Sequence, residues 1–412
     1  MSADTEEFDD AEVYSDAGSI YDGLSASARE SLALLDRALH GYWKVGRNVI
    51  LLWSPKRQGI EILIIPHYEI ANFASGAQPT PENFAAMGLP DGASAASLMD
   101  KVLAGPKQVS SDNLGQVADI IGYSTADIDL PIVPGKDLSL RVIDSLVKRY
   151  SLSYVDDRAV ALFDIVGFSL LTPLEQVTQL NSLAYSVNAA HSKMLTKKID
   201  ITFARTTTGD GFYVWNRDRS IQANINLYHF MHLVMADNAI AAAKSKGNVT
   251  PRLRTCFHIG GHYEFYQSEG LSPTIYSYIV GDVTIELARM IDKAIPGQVM
   301  VGDFQVDVPD KKTEKIRKIG TVEFLERTQE TLSNLKGLVL SGDAVDSINC
   351  YLTGDRKADG SFSIKKYLVT DKHNLTRNVY NAKINIYREN AAPIFIGAQD
   401  QELGHLEFTA AE

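Results

Sequence analysis

The chain has 412 residues, enough for two or three domains that each bury a core. Its 45% hydrophobic and 22% charged residues are those of an ordinary globular protein, and its formal net charge of −11 argues against general nucleic-acid binding. Cys256 and Cys350 are too far apart for a zinc or redox motif, so both are expected as buried reduced thiols. The start MSADTEEFDDAE lacks the basic end and apolar run of a signal peptide, and no apolar stretch is long enough to span a bilayer. A cytoplasmic protein with neither membrane nor nucleic-acid partners is expected.

In chain order, residues 1–22 are acidic and rich in Ser, Asp and Gly, which predicts a disordered tail. Leu32, Leu34, Leu35, Ala38 and Leu39 then fall near helical spacing. Two apolar runs, 45–53 and 59–66, are split by SPKRQ and predict a β-hairpin. Residues 75–140 are rich in Ala, Gly, Pro and Ser, with a helical patch at 95–103. Together, 23–140 are expected to form an N-terminal α/β accessory or regulatory domain.

Patterning sharpens near residue 140. A short helix over 140–150 precedes a buried strand, Arg158–Phe163, that ends at Asp164. A helix over 173–197 has a clear start: Thr172 as N-cap, Pro173 next, and Glu175 completing a capping box. Leu174, Val177, Leu180, Ala184, Val187, His191 and Met194 form one stripe at helical spacing, predicting a buried face. Strands are expected at 199–205 and 212–215 around the turn Thr208-Gly-Asp-Gly211, then a helix over 221–244. Strands at 252–260 and 276–280, a helix at 283–294 and a strand at 298–301 follow. Alternating strands and helices with one hairpin predict an α+β fold, helices packed on a mixed sheet. After 303 an initial helix is expected, with Lys311, Lys312, Lys315, Arg317 and Lys318 on its solvated face. The rest reads as β, with strands at 365–370 and 382–387.

Asp164 ends an apolar strand and Asp210 sits in a hairpin turn, places where a sheet presents side chains to a ligand. If the strands are neighbours, two carboxylates and a backbone carbonyl suit a pair of Mg²⁺ or Mn²⁺ ions. The segment Ile165-Val-Gly-Phe-Ser169 offers N–H groups to a triphosphate just before a helix start. Each feature alone is ordinary, because a strand-end aspartate is more often structural and a Gly-Asp-Gly turn is usually only a turn.

Order and spacing add a resemblance. FDIVGFS (163–169) is similar to the first metal motif of the class III adenylate and guanylate cyclases, and TTTGDGFYVWN (206–216) to the second. RTCFHIG (254–260) resembles the family strand R-x-G-x-H-x-G, with Cys256 at its first glycine. VGDVTIELARM (280–290) resembles the segment that carries the transition-state arginine, and PGQVMVG (296–302) the closing strand. The resemblance implies a catalytic domain over 141–303 with a ferredoxin-like βαββαβ core, followed by a β-rich part over 304–412. It implies two Mg²⁺ or Mn²⁺ ions held by Asp164, Asp210 and the Ile165 carbonyl, with Val166, Gly167 and Phe168 near the triphosphate. It further implies Arg289 as the transition-state arginine, working across a homodimer with shared sites.

Three positions depart from purine cyclases. The lysine that reads adenine is Thr206 here, its partner is Tyr278, and the ribose-orienting asparagine is Ile285. A pyrimidine is one ring smaller, so Tyr278 could fill the vacated space while the Thr206 hydroxyl meets the base edge. Strand alternation turns Arg205 to the opposite face. ARTTTGDGFYVWN, the preceding HSK and the later YLVTDKHNLTRNVYNAKINIY look like the pyrimidine cyclases of bacterial anti-phage (Pycsar) signalling, over roughly residues 145–390. That resemblance implies a lyase making cyclic UMP or cyclic CMP from UTP or CTP, the product acting on a separate effector protein. A purine cyclase and an inactive nucleotide-binding regulator are the alternatives. His191, His229, His232 and His258 are read as packing residues, since no third ligand accompanies the spacing of 229 and 232.

Overall fold

The computed structural model describes residues 24–74, 95–199, 201–268, 275–309, 315–354, 363–371, 374–404 and 406–409. The expected tail over 1–22, and Lys311 and Lys312, lie outside them. Two units are distinguished: Met1–Asp156 with Tyr263–Ile279, and Asp157–His262 with Val280–Glu412.

In the first unit the elements are Ala26–Trp43 (α1), Asn48–Pro55 (β1), Ile60–Pro66 (β2), His67–Ala74 (α2), Ala95–Ala104 (α3), Ser111–Ile121 (α4), Thr125–Ile128 (β3) and Leu140–Lys148 (α5). Strands β1, β2 and β3 form an antiparallel sheet in that order. Its strands are apolar almost throughout because both faces are covered. Ile50, Trp53, Ile60 and Ile62 meet Leu35 and Leu39 of α1 and Ile143 and Leu146 of α5. Leu51, Leu52, Leu63 and Ile65 meet Leu98 of α3 and Val117 of α4. Ser25, Ser110 and Ser139 cap α1, α4 and α5, each accepting a hydrogen bond from a first-turn N–H group.

Next come Leu152–Ile165 (β4), Pro173–Thr196 (α6), Phe203–Thr207 (β5), Gly211–Asn216 (β6), Ile221–Lys244 (α7), Leu253–Ser268 (β7) and Ile275–Val280 (β8). Then follow Asp282–Ile291 (α8), Val299–Gly302 (β9), Gln305–Pro309 (β10), Ile316–Gly320 (β11), Thr321–Thr331 (α9), Val339–Leu340 (β12) and Asp343–Leu352 (β13). Lys366–Thr370 (β14), Thr376–Arg388 (β15), Ile394–Ile396 (β16) and Glu407–Thr409 (β17) complete the described elements. Strands β4, β7 and β8 are each divided between the two units.

The run β4-α6-β5-β6-α7-β7 is a βαββαβ unit whose strands lie in the order β7-β4-β6-β5. This is the ferredoxin-like order, and the α+β architecture expected from the pattern is the one observed. Strand β9 adds parallel to β7, β15 antiparallel to β9, and β13 antiparallel to β15, so the C-terminal strands extend the same sheet. Helices α6 and α7 cover one face, burying Ala161, Phe163, Ile165, Val214, Phe257 and Val301. Helix α7 is buried nearly all round, with α6 and α9 against it.

Two expectations change. The buried face of α6 is Leu183, Val187, Ala190 and Met194, while Leu174 and Val177 are exposed. Small Ser186 and Ala190 lie on that face, and a stripe drawn by hydrophobicity undercounts such residues. After 303 the chain forms the β10–β11 hairpin, so Arg317 and Lys318 stand on a strand and the helix begins only at Thr321. The hairpin alternates Val306 and Val308, both buried, with exposed neighbours, a period of two.

Buried histidines make stability depend on pH. His229 is packed among α7 and α9, its Nε2 3.3 Å from the Thr328 carbonyl, and burial lowers its pKa to about 4. Burial does the same to His258. Unfolded, each titrates near the ordinary histidine value, so the unfolded chain takes up protons that the fold refuses until about pH 4. The stabilisation is full above about pH 6.5 and is lost as pH falls toward 4, about 3 kcal/mol per histidine at most. Urea midpoints should therefore drop between pH 7 and pH 4.5, with a shallower drop in His229→Gln.

Candidate active site

The end of β4 and the β5–β6 turn meet through strand register. Asp164 stands opposite Gly211 in the antiparallel β4–β6 ladder, and the Ile165 N–H donates to the Asp210 carbonyl at 3.0 Å. Asp164 and Asp210 are thus brought to one corner of the sheet. The turn needs its glycines. Gly209 has φ of +101°, and a Cβ on Gly211 would lie 1.9 Å from the Phe163 carbonyl oxygen. The Thr208 hydroxyl donates to Asp210 Oδ1 at 3.1 Å and holds the carboxylate over the turn.

Asp164 is only 6% exposed. Burial pushes its pKa up; the Arg254 guanidinium works against that shift, while the charges of Asp210 and Asp292 add to it. Arg254 Nε donates to Asp164 Oδ2 at 2.5 Å. Arg254 lies within RTCFHIG, where motif order alone gives it no role. The missing signal was alternation: Leu253, Phe257 and Ile259 of β7 join the helix-side core, which puts Arg254 on the face that Asp164 shares.

The same register places Thr206 opposite Tyr213, on the Asp164 face. Burial pushes the Tyr213 phenol up to about 12, with Cys256, Asp164, Asp210 and Asp292 adding to the shift. It therefore stays protonated at neutral pH and donates to the Thr284 carbonyl at 3.2 Å. Arg205 lies on the other face, 5.0 Å over the Phe212 ring. Tyr278 stands on β8, in the segment grouped with the first unit, stacked on Phe265 at 5.6 Å.

The amides expected to face a triphosphate are fewer than the sequence suggests. Ile165 N–H is held by Asp210 and Val166 N–H donates to the Arg252 carbonyl at 2.9 Å, because the strand pairing runs further than its apolar core. The backbone beyond the strand pairing therefore starts at Gly167, which is exposed with φ of +72°, and continues through Phe168. Thr172 and Glu175 close the capping box at the start of α6.

Arg289 lies in the last turn of α8, with Ile285 exposed one turn earlier. Among the described residues its ion-pair partners are Asp371 at 3.0 Å and Glu286 at 3.8 Å, rather than Asp164 or Asp210. Among the described residues no group of three or more His, Cys, Asp and Glu side chains has metal-binding geometry. The carboxylate pair offers oxygen donors only. That suits hard divalent cations that take one or two carboxylates and fill the rest of their shell with water and phosphate. Arg254 already supplies positive charge there, a protein stand-in for a cation.

No protein-family model matches the chain, and no curated protein matches it. Solved structures similar to it include nucleotide cyclase domains. The guanylate cyclase domain of RhGC from Catenaria anguillulae, in complex with GTP, aligns over 58% of this chain and 100% of its own at 10% identity and a TM-score of 0.33. The adenylyl cyclase CyaB from P. aeruginosa aligns over 59% and 97% at 11% identity and 0.29. A bacterial light-regulated adenylyl cyclase aligns over 45% and 100% at 13% identity and 0.27.

Gly211→Ala is the sharpest structural test of this corner. The added methyl would force β4 and β6 apart beside Asp164, a clash expected to cost about 2 kcal/mol or more. A lower urea midpoint than wild type, alongside no such fall in Gly404→Ala, where the backbone has φ of −59° and the space is open, checks it.

Proposed function

We propose that this chain is a nucleotidyl cyclase that converts UTP or CTP to the 3′,5′-cyclic monophosphate and pyrophosphate. The observation that carries the reading is the meeting of Asp164 and Asp210 through the β4–β6 register, within motifs ordered as in class III cyclases. The two aspartates, with the Ile165 carbonyl, would hold two Mg²⁺ or Mn²⁺ ions. When bound, such ions lower the pKa of the ribose 3′-hydroxyl and neutralise the pyrophosphate leaving group.

The chain's own residues do the rest. Arg254, beside Asp164, has the planar fork that suits a phosphate oxygen pair. Gly167 and Phe168 lead from the sheet to α6 and cradle the phosphates with backbone N–H groups. Thr206 presents a hydroxyl that can donate or accept at the base edge; the assignment of Thr206 and Tyr278 to a pyrimidine rests on the sequence pattern. Arg289 stabilises charge developing on the α-phosphate, a contact of a kind worth about 3–4 kcal/mol in a transition state. It acts across a head-to-tail homodimer, each copy lending its arginine to the other's aspartates. The cyclic product is a second messenger for a separate effector, in anti-phage defence.

Purified protein incubated with ATP, GTP, CTP and UTP in parallel, with Mn²⁺, should yield a cyclic pyrimidine nucleotide by chromatography and mass. Cyclic AMP or cyclic GMP would keep the mechanism and discard the base assignment. No product from any of the four would overturn the reading. Asp164→Asn and Asp210→Asn should each reduce turnover to background while leaving the thermal melting transition in place. Thr206→Lys should lower the rate with the pyrimidine substrate more than it lowers stability.

A further inference from the structure

Arg289 belongs to a closed ring of four charges. Arg289 Nε lies 3.0 Å from Asp371 Oδ2, and its Nη1 is 3.8 Å from Glu286. Arg377 completes the ring, with Nε 2.5 Å from Glu286 and Nη1 3.5 Å from Asp371. Asp371 Oδ2 meets both arginines, and Arg377 meets Glu286, as charges rather than as aligned hydrogen bonds. Asp371 is the most buried corner, its side chain 5% exposed against 28% for Arg289.

The Asp371 carboxylate is fixed from two sides. Oδ1 accepts from the Leu375 N–H at 2.9 Å, which ties it to the β14–β15 connection, and Oδ2 takes both arginines. The connection is itself closed by the Asp371 N–H donating to the Leu375 carbonyl at 3.1 Å. Arg289 therefore has a buried anion against Nε, the root of its guanidinium, as an ion pair. A guanidinium is a rigid plane with five donors, so an anion on the Nε side draws that edge toward itself and leaves the Nη end to project. Glu286 touches that end only at 3.8 Å, a distance that orients without a hydrogen bond.

We propose that Asp371 is a positioning residue for Arg289: the buried carboxylate of the β14–β15 connection locks the arginine so that its Nη edge is presented to the α-phosphate. This rests on the cyclase reading above and extends it to a residue some eighty positions away in sequence that touches no substrate itself. Glu286 and Arg377 serve the same end, one steadying the fork and the other neutralising Asp371 from behind.

The test is a double-mutant cycle on the full chain with the preferred triphosphate and Mn²⁺. Asp371→Asn should lower kcat roughly 10- to 100-fold, the scale of a small misplacement of a reacting group, with KM little changed. Asp371→Glu should recover part of the loss. In an Arg289→Ala background Asp371→Asn should cost nothing further, because the arginine it orients is gone. Should Asp371→Asn lose its melting transition, Arg377→Met, which removes the second clamp on Asp371, should show the same coupled loss. Additive losses in the cycle, or faster turnover in Asp371→Asn, would overturn the positioning role alone. Wild-type protein inert toward all four triphosphates would overturn the functional reading and this role with it.

Discussion

One buried carboxylate organises the second unit. Asp164 follows the buried apolar run 159–163 of its strand, and an ionised group there needs compensating charge. Arg254 provides it from the neighbouring strand. The surroundings accommodate the pair: Gly211 has no side chain where β6 crosses Asp164, and Tyr213 keeps its proton and turns it to α8. Asp210 arrives at the same corner through backbone pairing, since the Ile165 N–H fixes its carbonyl. Two carboxylates are thus held together by the sheet itself, a rigid element and a more exact support than a loop.

The same logic runs through the charges on α8. Arg289 and Glu286 sit one turn apart on the helix, and their partners Asp371 and Arg377 stand at the end of β14 and on β15. The strands that extend the sheet beyond β9 therefore do more than add area. Their connection delivers a carboxylate to a helix encoded about eighty residues earlier. The ring carries no net charge, so its members can sit partly buried without the cost of an isolated ion.

Much of this was legible from local pattern. The capping box at Thr172 and Glu175, the hairpin of β1 and β2, and the alternation of β15 each follow from a few adjacent residues. The aspartate corner was legible because two short motifs kept their order. What escaped was set by pairing between distant segments. Strands β4 and β7 run longer than their apolar cores, and that extra pairing takes the Ile165 and Val166 amides away from a ligand. Leu174 and Val177 of α6 are apolar yet exposed, because burial depends on what packs against the helix and not on the residue alone. Arg254 needed a face assignment, and Asp371 had no local signal at all. The basic run before Thr321 resembles a helical face in composition, but Val306 and Val308 show that the segment obeys the two-residue period of a strand.

The contact between Arg254 and Asp164 means that the protein carries its own competitor for the corner. Any cation that settled on Asp164 would share the carboxylate with a guanidinium already 2.5 Å from Oδ2. Two cations on one carboxylate call for a further anion, and a bare metal ion supplies none. A polyphosphate arriving with its cation satisfies both groups at once. Loading would accordingly be steep when the two come together and shallow when either comes alone, a form of linkage that needs no moving domain.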